Sequence, residues 1–332
     1  MKIKDITTKV KTIELKKAFI TALRRVEKVE FVRVEIHLYN GNIGIGEAPS
    51  TKIITGEDSQ NIVESIEKIK NELIGLDAKE ALKKIDSLVM GSSAKAALNI
   101  GIYTLLFPFS ITNKKQIKTD ITISLNEENK MLKDAQEAYK SGMSILKIKL
   151  GKNISHAINI TKILAHKLPH ATLLIDANQA WSLQNSLEYV KAVEGLQIKL
   201  IEQPVIANDL ESLKIITETT NIPILADESV FNLEDVKRVM ESKSADMINI
   251  KLMKCGGVSK AIEILEYARK KNIICMLGSM LEGPYSINAA LYLAFNYRDV
   301  IKYVDLDSPL LYKVASEELD FKFDGCTISY KG

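Results

Sequence analysis

Eight short apolar runs, evenly spaced along the C-terminal two thirds of the chain, constrain the fold more than any other feature. They begin at residues 119, 144, 172, 199, 223, 246, 273 and 302 and are TDITISL, SILKIKL, TLLID, KLIEQ, PILAD, DMINIK, IICMLG and KYVDLD. The interval between successive starts is nearly constant and has room for one strand, one helix and two short loops. Eight strands that alternate with helices predict a (β/α)8 barrel, and a doubly wound open sheet is the alternative because spacing alone does not show closure.

The first third of the chain has a different pattern, which predicts an α+β domain. TKVKTIEL and EFVRVEIHLYNGNIGIGEA alternate polar and apolar residues, and Asn40-Gly41 within the second segment predicts a hairpin turn. From Glu57 to about Leu106 the apolar spacing is helical. Gly44 and Gly46 are interpreted as turn glycines, since no helix follows closely enough for a phosphate-binding loop. We therefore predict an α+β domain over residues 1–115, a barrel over 116–310 and a C-terminal segment over 311–332 that returns to the first domain.

Composition argues against several classes of partner. The 45 basic and 42 acidic residues are mixed along the chain, so nucleic acid is not an expected partner. The longest apolar tract, residues 96–111, contains Pro108 and is shorter than the ~20 residues that span a bilayer, so it predicts a buried helix. The start MKIKDITTKV lacks a signal-peptide pattern, which makes the cytoplasm the expected location. The three cysteines and four histidines show none of the spacings of a disulfide framework or a zinc site.

Charged side chains end six of the eight predicted strands. In a barrel of this kind the carboxyl ends of all strands open into one shared cavity. Each charge alone could be a solvated residue or a helix N-cap, but six at one level predict a functional site. These residues are Lys147 and Lys149, Asp176, Glu202, Asp227, Lys251, and Asp305 with Asp307.

Three of these charges are carboxylates on consecutive strands, which predicts a metal site. Asp176, Glu202 and Asp227 repel one another at one level of the barrel unless a cation neutralises them. Oxygen-only ligands select a hard ion, and we expect Mg²⁺.

Two lysines are placed to act on opposite faces of a bound carbon. Lys149 and Lys251 lie four strands apart in a ring of eight, so they are expected to face each other across the cavity. A lysine that acts as a base needs its pKa lowered from ~10.4 to about 7 to 8, and nearby Lys147 and the cation would lower it. The groups together predict loss of a proton from the carbon next to a carboxylate, an enediolate stabilised by the cation, and return of a proton from the opposite lysine, which inverts the stereocentre.

At these residues the chain resembles a known family. LKIKLG, DANQAW, EQP, ADES and NIKLMKCGG resemble the catalytic strands of the enolase superfamily, muconate-lactonizing subgroup, and most closely its dipeptide epimerases of the L-Ala-D/L-Glu type. The resemblance covers nearly the whole chain. It implies a modified (β/α)7β barrel under an N-terminal capping domain, one Mg²⁺ per subunit, and epimerisation of the C-terminal residue of a dipeptide derived from cell-wall peptide.

The resemblance also implies how a dipeptide would be bound. DLDSP is similar to the D-x-D signature in which two carboxylates, here Asp305 and Asp307, hold the substrate's ammonium group. KAFITALRR resembles the capping loop of the Ala-Glu enzymes, and Arg24 would pair the glutamate side chain, although a solvated charge is the alternative. Further residues align with substrate-contacting segments, with turn and core positions as the alternative. They are Thr122, Lys147, Ser279, Met280 and Leu281.

Several other functions stay open at this point. A dipeptide epimerase of hydrophobic or cationic specificity, a muconate cycloisomerase and an o-succinylbenzoate synthase share the lysines and the acidic ligands. A Schiff-base aldolase with a nucleophilic lysine and a barrel that only binds a ligand are further alternatives. The connection FPFSITNKKQIK is shorter than the family usually has, so oligomer contacts cannot be carried over, and a homo-oligomer remains possible.

Overall fold

A three-stranded antiparallel sheet begins the chain. The computed structural model describes residues 1–111 and 116–332. The sheet has the order β1-β2-β3, and its strands are β1 (Ile3–Ile20), β2 (Arg25–Leu38) and β3 (Ile43–Pro49). The expected hairpin turn lies between β2 and β3, where Gly41 has a φ of 88° and the Leu38 amide donates to the Asn42 carbonyl over 2.9 Å. The alternating pattern at the start of the chain therefore predicted this sheet correctly.

Four helices follow the sheet. They are α1 (Lys52–Thr55), α2 (Ser59–Leu73), α3 (Ala78–Ser87) and α4 (Ser92–Leu106). Asp58 and Asp77 cap the N-termini of α2 and α3 with their side chains, which fixes where these helices begin. Helix α4 is apolar on most of its surface and packs against β3 on one side and the barrel helices on the other. Residues 96–106 of the apolar tract thus lie in this helix, whereas residues 107–111 follow its end and Phe107 is exposed. In the described part of the chain no helix combines the length and apolarity needed to cross a bilayer.

The interpretation of Gly44 and Gly46 as turn glycines is wrong. Both lie inside β3, where helix α4 crosses at very short distance. A Cβ atom on Gly46 would lie 1.8 Å from the carbonyl oxygen of Ala97, and one on Gly44 would lie 2.1 Å from that of Gly101. These glycines therefore allow a strand and a helix to pack with their backbones in contact.

Eight parallel strands form the second part of the chain, in unbroken sequential order. They are β5 (Ile121–Ile123), β6 (Ile145–Lys149), β7 (Thr172–Asp176), β8 (Ile198–Glu202), β9 (Ile224–Ala226), β10 (Met247–Lys251), β11 (Ile274–Gly278) and β12 (Ile301–Asp305). The Asp120 amide donates to the Val304 carbonyl over 3.2 Å, which joins the first strand to the last. The strands thus form a nearly closed barrel rather than an open doubly wound sheet.

Helices connect the barrel strands on the outside. They are α5 (Glu128–Lys140), α6 (Ile154–Lys167), α7 (Leu183–Ala192), α8 (Leu210–Thr219), α9 (Leu233–Glu241), α10 (Leu252–Cys255), α11 (Val258–Lys271), α12 (Pro284–Asn296) and α13 (Ser308–Leu311). The barrel interior is filled by large apolar side chains, so it is a packed core rather than a pore. These side chains include Leu174, Leu200, Leu225, Met247 and Met276. The three cysteines are buried and form no disulfide within the described residues.

The C-terminal segment contacts both parts of the chain. The Lys313 amide donates to the Glu14 carbonyl over 2.8 Å, and Glu318 accepts two hydrogen bonds of 2.6 Å from Arg33 on β2. Strands β13 (Phe321–Asp324) and β14 (Thr327–Tyr330) then form a small sheet with β4 (Ile117–Lys118). The predicted domain boundary at 115/116 and part of the short connection fall on residues 112–115, which lie outside the described residues.

Candidate active site

The carboxyl ends of the barrel strands open into a cavity that the N-terminal part of the chain covers. The cavity encloses about 580 Å³ of space not occupied by atoms, its open mouth included. Phe19, Leu23, Ile53 and Ile54 form the cover. Ten of the thirteen predicted site residues line the cavity, namely Arg24, Thr122, Lys149, Asp227, Lys251, Ser279, Met280, Leu281, Asp305 and Asp307. The other three predicted residues are buried just beneath the lining. Lys147 contacts the lining residue Asp305, Asp176 contacts the lining residue Lys149, and Glu202 contacts Lys147.

Asp176 is not a helix cap. It is the last residue of β7 and stands in register with Lys149 on one neighbouring strand and Glu202 on the other. The next helix, α7, begins at Leu183 and is capped by the side chain of Ser182. An ionisable group that is fully buried at a strand end needs a charged partner, and Asp176 has one on β6.

Each of the two predicted bases contacts one of the predicted metal ligands. The ammonium group of Lys149 donates to Asp176 Oδ2 over 2.6 Å, and that of Lys251 donates to Asp227 Oδ2 over 2.6 Å. Their strands, β6 and β10, are four places apart in the order of eight strands. The two lysines therefore end strands on opposite sides of the barrel.

Lys147 lies deeper than Lys149 and joins three carboxylates. Its Nζ is 2.6 Å from Glu202 Oε2, 2.6 Å from Asp305 Oδ2 and 3.2 Å from Asp176 Oδ2. Burial opposes the charge of this lysine, but the attraction of Asp305 and Glu202 is larger and holds its pKa well above the usual value. Lys147 is thus a fixed positive charge at the base of the site.

The side chains around Lys251 raise the pKa of its ammonium group. Burial lowers the pKa of its ammonium group, but the attraction of Asp227 and Glu202 exceeds that effect, so the pKa lies above the ordinary value. The strongest attraction comes from Asp227, which is in direct contact with Lys251, and the expected lowering of the pKa depends on the field of a bound cation.

Three buried acceptors beside the predicted metal ligands have no donor among the described residues, which fits a cation. Asn178 Oδ1, Glu228 Oε2 and Asn249 Oδ1 are buried and have no hydrogen-bond partner among the described residues. Burial and the repulsion of Asp176 raise the pKa of Glu202 to about 7. Both carboxylate oxygens of Asp227 contact lysines. The carboxylate oxygens of the three predicted ligands lie farther from one another than those of a second group of carboxylates in the same part of the barrel. In that group, whose oxygens lie within 4.8 Å of one another, are Asp120, Asp305 and Asp307.

The D-x-D pair lies beside the cavity at the end of β12. Asp305 contacts Lys147, and Asp307 Oδ2 accepts a hydrogen bond of 2.7 Å from the backbone amide of Thr122. Burial and the repulsion of Asp305 raise the pKa of Asp307 to about 6. Together the two side chains carry more negative charge than Lys147 can neutralise, since Lys147 also serves Glu202.

Arg24 extends into the cavity from the turn between β1 and β2. Thr21 Oγ1 accepts from the Leu23 amide over 3.1 Å and from the Arg24 amide over 3.3 Å, which shapes the turn. Among the residues that the structure describes, no carboxylate forms an ion pair with Arg24, and burial lowers the pKa of its guanidinium. The neighbouring Arg25 is exposed and pairs with Glu27 over 2.9 Å. Within the described residues Arg24 is therefore an unpaired cation at the cavity.

Comparison with known proteins places the chain in a family. Residues 130–326 match the model of the family described as "Enolase C-terminal domain-like". The chain belongs to the enolase superfamily. It is 57% identical over 99% of its own length and 99% of the other chain to the L-amino acid-D/L-Glu epimerase of Sulfurimonas denitrificans.

Solved structures of this superfamily confirm the fold. The substrate-liganded complex of the L-Ala-D/L-Glu epimerase from Bacillus subtilis superposes with a TM-score of 0.93 at 36% identity, covering 100% of this chain and 97% of that one. The dipeptide epimerase from Enterococcus faecalis in complex with Mg and the dipeptide L-Leu-L-Tyr superposes with a TM-score of 0.92 at 33% identity, covering 99% and 97%. The recognition of an enolase-superfamily dipeptide epimerase from the strand-end motifs is confirmed.

Other residues of this enolase-superfamily site were not predicted from the sequence. Lys254 donates to Asp227 Oδ1 and to the Asp227 carbonyl over 2.5 Å each, and it lies within the quoted motif NIKLMKCGG, so its charge was visible there. Glu282 accepts from the Met280 amide over 2.8 Å, and Tyr312 donates to the Glu282 carbonyl. These contacts fix the segment from Ser279 to Leu281 against the cavity. No local sequence pattern predicts the contacts of Glu282 and Tyr312.

Proposed function

We propose that the protein is a Mg²⁺-dependent dipeptide epimerase of the L-Ala-D/L-Glu type. The observation that carries the proposal is the pair of lysines: Lys149 and Lys251 end strands on opposite sides of one cavity, each against an acidic partner. A carbon held between two such amines can lose a proton to one face and gain one from the other, which inverts it.

Asp176, Glu202 and Asp227 are the proposed ligands of one Mg²⁺ ion. They are buried carboxylates on adjacent strands, and the acceptors around them lack donors among the described residues. Bound there, Mg²⁺ supplies positive charge that stabilises a second negative charge on the substrate carboxylate and favours the neutral form of neighbouring amines. Asp305 and Asp307 are assigned a different ligand because they follow β12, three places from β9 in the strand order, whereas Asp176, Glu202 and Asp227 follow consecutive strands.

Lys149 and Lys251 carry out the proton transfer. In one direction Lys149 Nζ takes the α-proton while the ammonium of Lys251 donates to the other face, and in the reverse direction the roles are exchanged. The strands hold both side chains rigidly, because each lysine is buried and hydrogen-bonded at its Nζ. The cover formed by Phe19 and Leu23 keeps water away from the reacting carbon.

Two sets of charged residues that line the cavity are proposed to select the substrate. We propose that Asp305 and Asp307 bind the ammonium group and that Arg24 pairs the side-chain carboxylate of a second-residue glutamate. A muconate cycloisomerase or an o-succinylbenzoate synthase has no substrate ammonium group for the acidic pair. Epimerisation of hydrophobic dipeptides is the second candidate, because Leu23, Ile53 and Ile54 add apolar surface next to Arg24 and the Enterococcus faecalis relative was solved with L-Leu-L-Tyr.

The wider setting follows from the proposed substrate. We propose a cytoplasmic enzyme in cell-wall peptide metabolism, with the dipeptide as its partner and no role for nucleic acid or membrane. We also propose a division into a capping domain (1–115), a catalytic barrel (116–310) and a C-terminal segment that returns to the capping domain (311–332). A second copy of the chain is proposed as the partner in a homo-oligomer.

Mass-spectrometric screening of pooled dipeptides in deuterium oxide tests the proposal. We expect one deuterium at the α-carbon of the second residue, strongest for L-Ala-L-Glu and L-Ala-D-Glu, lost with chelator and restored by Mg²⁺. Exchange confined to hydrophobic dipeptides would favour the second candidate. Covalent trapping of a substrate by borohydride, without any exchange, would instead indicate a Schiff-base aldolase.

A further inference from the structure

Asp120 is a buried carboxyl group that the proposed mechanism does not use. It precedes β5, has 0% of its surface exposed and does not line the cavity. One of its oxygens lies within 4.8 Å of oxygens of both Asp305 and Asp307. Neither of its oxygens has a hydrogen-bond partner among the described residues. Asp120 thus stands behind the D-x-D pair and is directed at it.

The charges around this cluster do not balance if all three groups are ionised. Among the described residues, Lys147 is the one cation in contact with this cluster of three carboxylates, through Asp305. The same lysine also contacts Glu202 and Asp176. The Thr122 amide serves Asp307. Three like charges this close and this buried cannot all persist, so one group must hold a proton.

Asp120 is the group best placed to hold that proton. Asp305 has Lys147 and Asp307 has the Thr122 amide, whereas Asp120 has no donor in the described part of the chain. Burial, followed by the repulsion of Asp305, raises the pKa of Asp120 well above its ordinary value, against the weaker opposing effect of Lys147.

We propose that Asp120 is a neutral carboxylic acid whose O–H donates to Asp305 and thereby positions the D-x-D pair for a cationic amino group. It is a positioning residue, and its role in substrate binding rests on the proposed function. Two ionised carboxylates then face the cavity, one compensated by Lys147 and the other by the ammonium group of the dipeptide. The proton on Asp120 prevents a third charge from repelling the pair apart.

Infrared difference spectroscopy of the Mg²⁺-loaded protein in deuterium oxide tests the protonation directly. We expect the spectrum of the wild type minus that of Asp120→Asn to contain the carbonyl band of a protonated carboxyl at neutral pD. Absence of this band would mean that Asp120 is ionised and would overturn the proposal. This measurement needs no substrate, so its result stands even if the proposed function fails.

Steady-state kinetics test the positioning role. Asp120→Ala is expected to raise KM for L-Ala-L-Glu about tenfold with a smaller change in kcat, because it removes one hydrogen bond to a charged group. Asp120→Asn keeps a donor of the same size and should recover most of this loss. If Asp120→Asn is as damaging as Asp120→Ala, the carboxyl acts through negative charge and the proposal is wrong. Thermal unfolding of both variants checks folding, and if the alanine variant does not fold, Asp120→Asn against wild type decides.

Discussion

Lys149 and Asp176 end neighbouring parallel strands in direct register, and the lysine ammonium donates to the aspartate over 2.6 Å. The same relationship recurs on the other side of the barrel, where Lys251 donates to Asp227. Each proposed base is therefore held by a proposed metal ligand. Proton transfer and metal binding are expected to depend on each other, because a change in either side chain alters the charge that its partner experiences.

The location of the Mg²⁺ site can be tested by comparing two acidic groups. Glu202→Gln removes a proposed ligand, and we expect Mg²⁺ affinity to fall by at least about tenfold, a loss that even an outer partner of a metal ligand can cause. Asp305→Asn changes the second group, which in the described part of the chain contacts the proposed ligands only through Lys147, and should lower Mg²⁺ affinity much less than Glu202→Gln does. Isothermal titration calorimetry measures both. The reverse order of losses would assign the ion to the cluster of Asp120, Asp305 and Asp307.

Arg24 is expected to set the preference for an acidic second residue. Arg24→Met should raise KM for L-Ala-L-Glu by about 10- to 100-fold, because a charge-assisted bidentate contact is lost. KM for a dipeptide with a hydrophobic second residue should stay the same or fall. Arg25→Met is the matched control, since Arg25 is exposed and paired with Glu27. Equal effects of the two variants on both substrates would show that Arg24 does not bind the substrate side chain.

Ionisation of Asp307 is expected to produce the acidic limb of the pH profile of kcat/KM. Its pKa is raised to about 6, so it is ionised above that pH and neutral below it. Only the ionised form attracts an ammonium group, and kcat/KM should therefore rise with pH through about 6. Asp307→Asn should lower kcat/KM and remove this limb, whereas Asp324→Asn, at an exposed position of β13, should keep it. An unchanged limb in Asp307→Asn would assign the titration to another group.

Lys254 is expected to stabilise the fold through Asp227. Its ammonium group donates to Asp227 Oδ1 and to the carbonyls of Asp227 and Asn249. Lys254→Met leaves these buried acceptors without a donor, and the free energy of unfolding should fall by about 3 kcal/mol. Chemical denaturation with Lys270→Met, an exposed lysine on α11, as control measures the difference. A loss no larger than that of the control would show that Asp227 is satisfied without Lys254.

Strand spacing predicted the barrel and its strand-end residues because both depend on local periodicity. A parallel strand that is buried on both faces reads as an apolar run, and a charge at its carboxyl end marks the mouth of the barrel. Asp176, Glu202 and Lys149 could thus be placed at one level before any coordinates. Their register in β6, β7 and β8 follows from this pattern.

What the sequence could not show are contacts between distant segments. Lys147 shares a strand face with Lys149 but lies deeper in the barrel. Its contacts with Glu202 and Asp305 depend on how β7, β8 and β12 are placed around it. Gly46 is explained only by helix α4, from which it is separated along the chain by three other helices. Asp120 is the second residue of a predicted strand, a common place for a polar residue, and only closure of the barrel brings it to Asp305.

The two-base arrangement is tested most directly by stereospecific exchange in the single-lysine variants. Lys149→Ala and Lys251→Ala are incubated with L-Ala-L-Glu and with L-Ala-D-Glu in deuterium oxide and Mg²⁺, and mass spectrometry with chiral separation follows deuterium and configuration. We expect each variant to lose epimerisation by at least about 10²-fold while retaining α-proton exchange with only one epimer, and the retained epimer to differ between the two. Exchange of the same epimer in both variants, or epimerisation that survives either change, would contradict bases on opposite faces of the substrate.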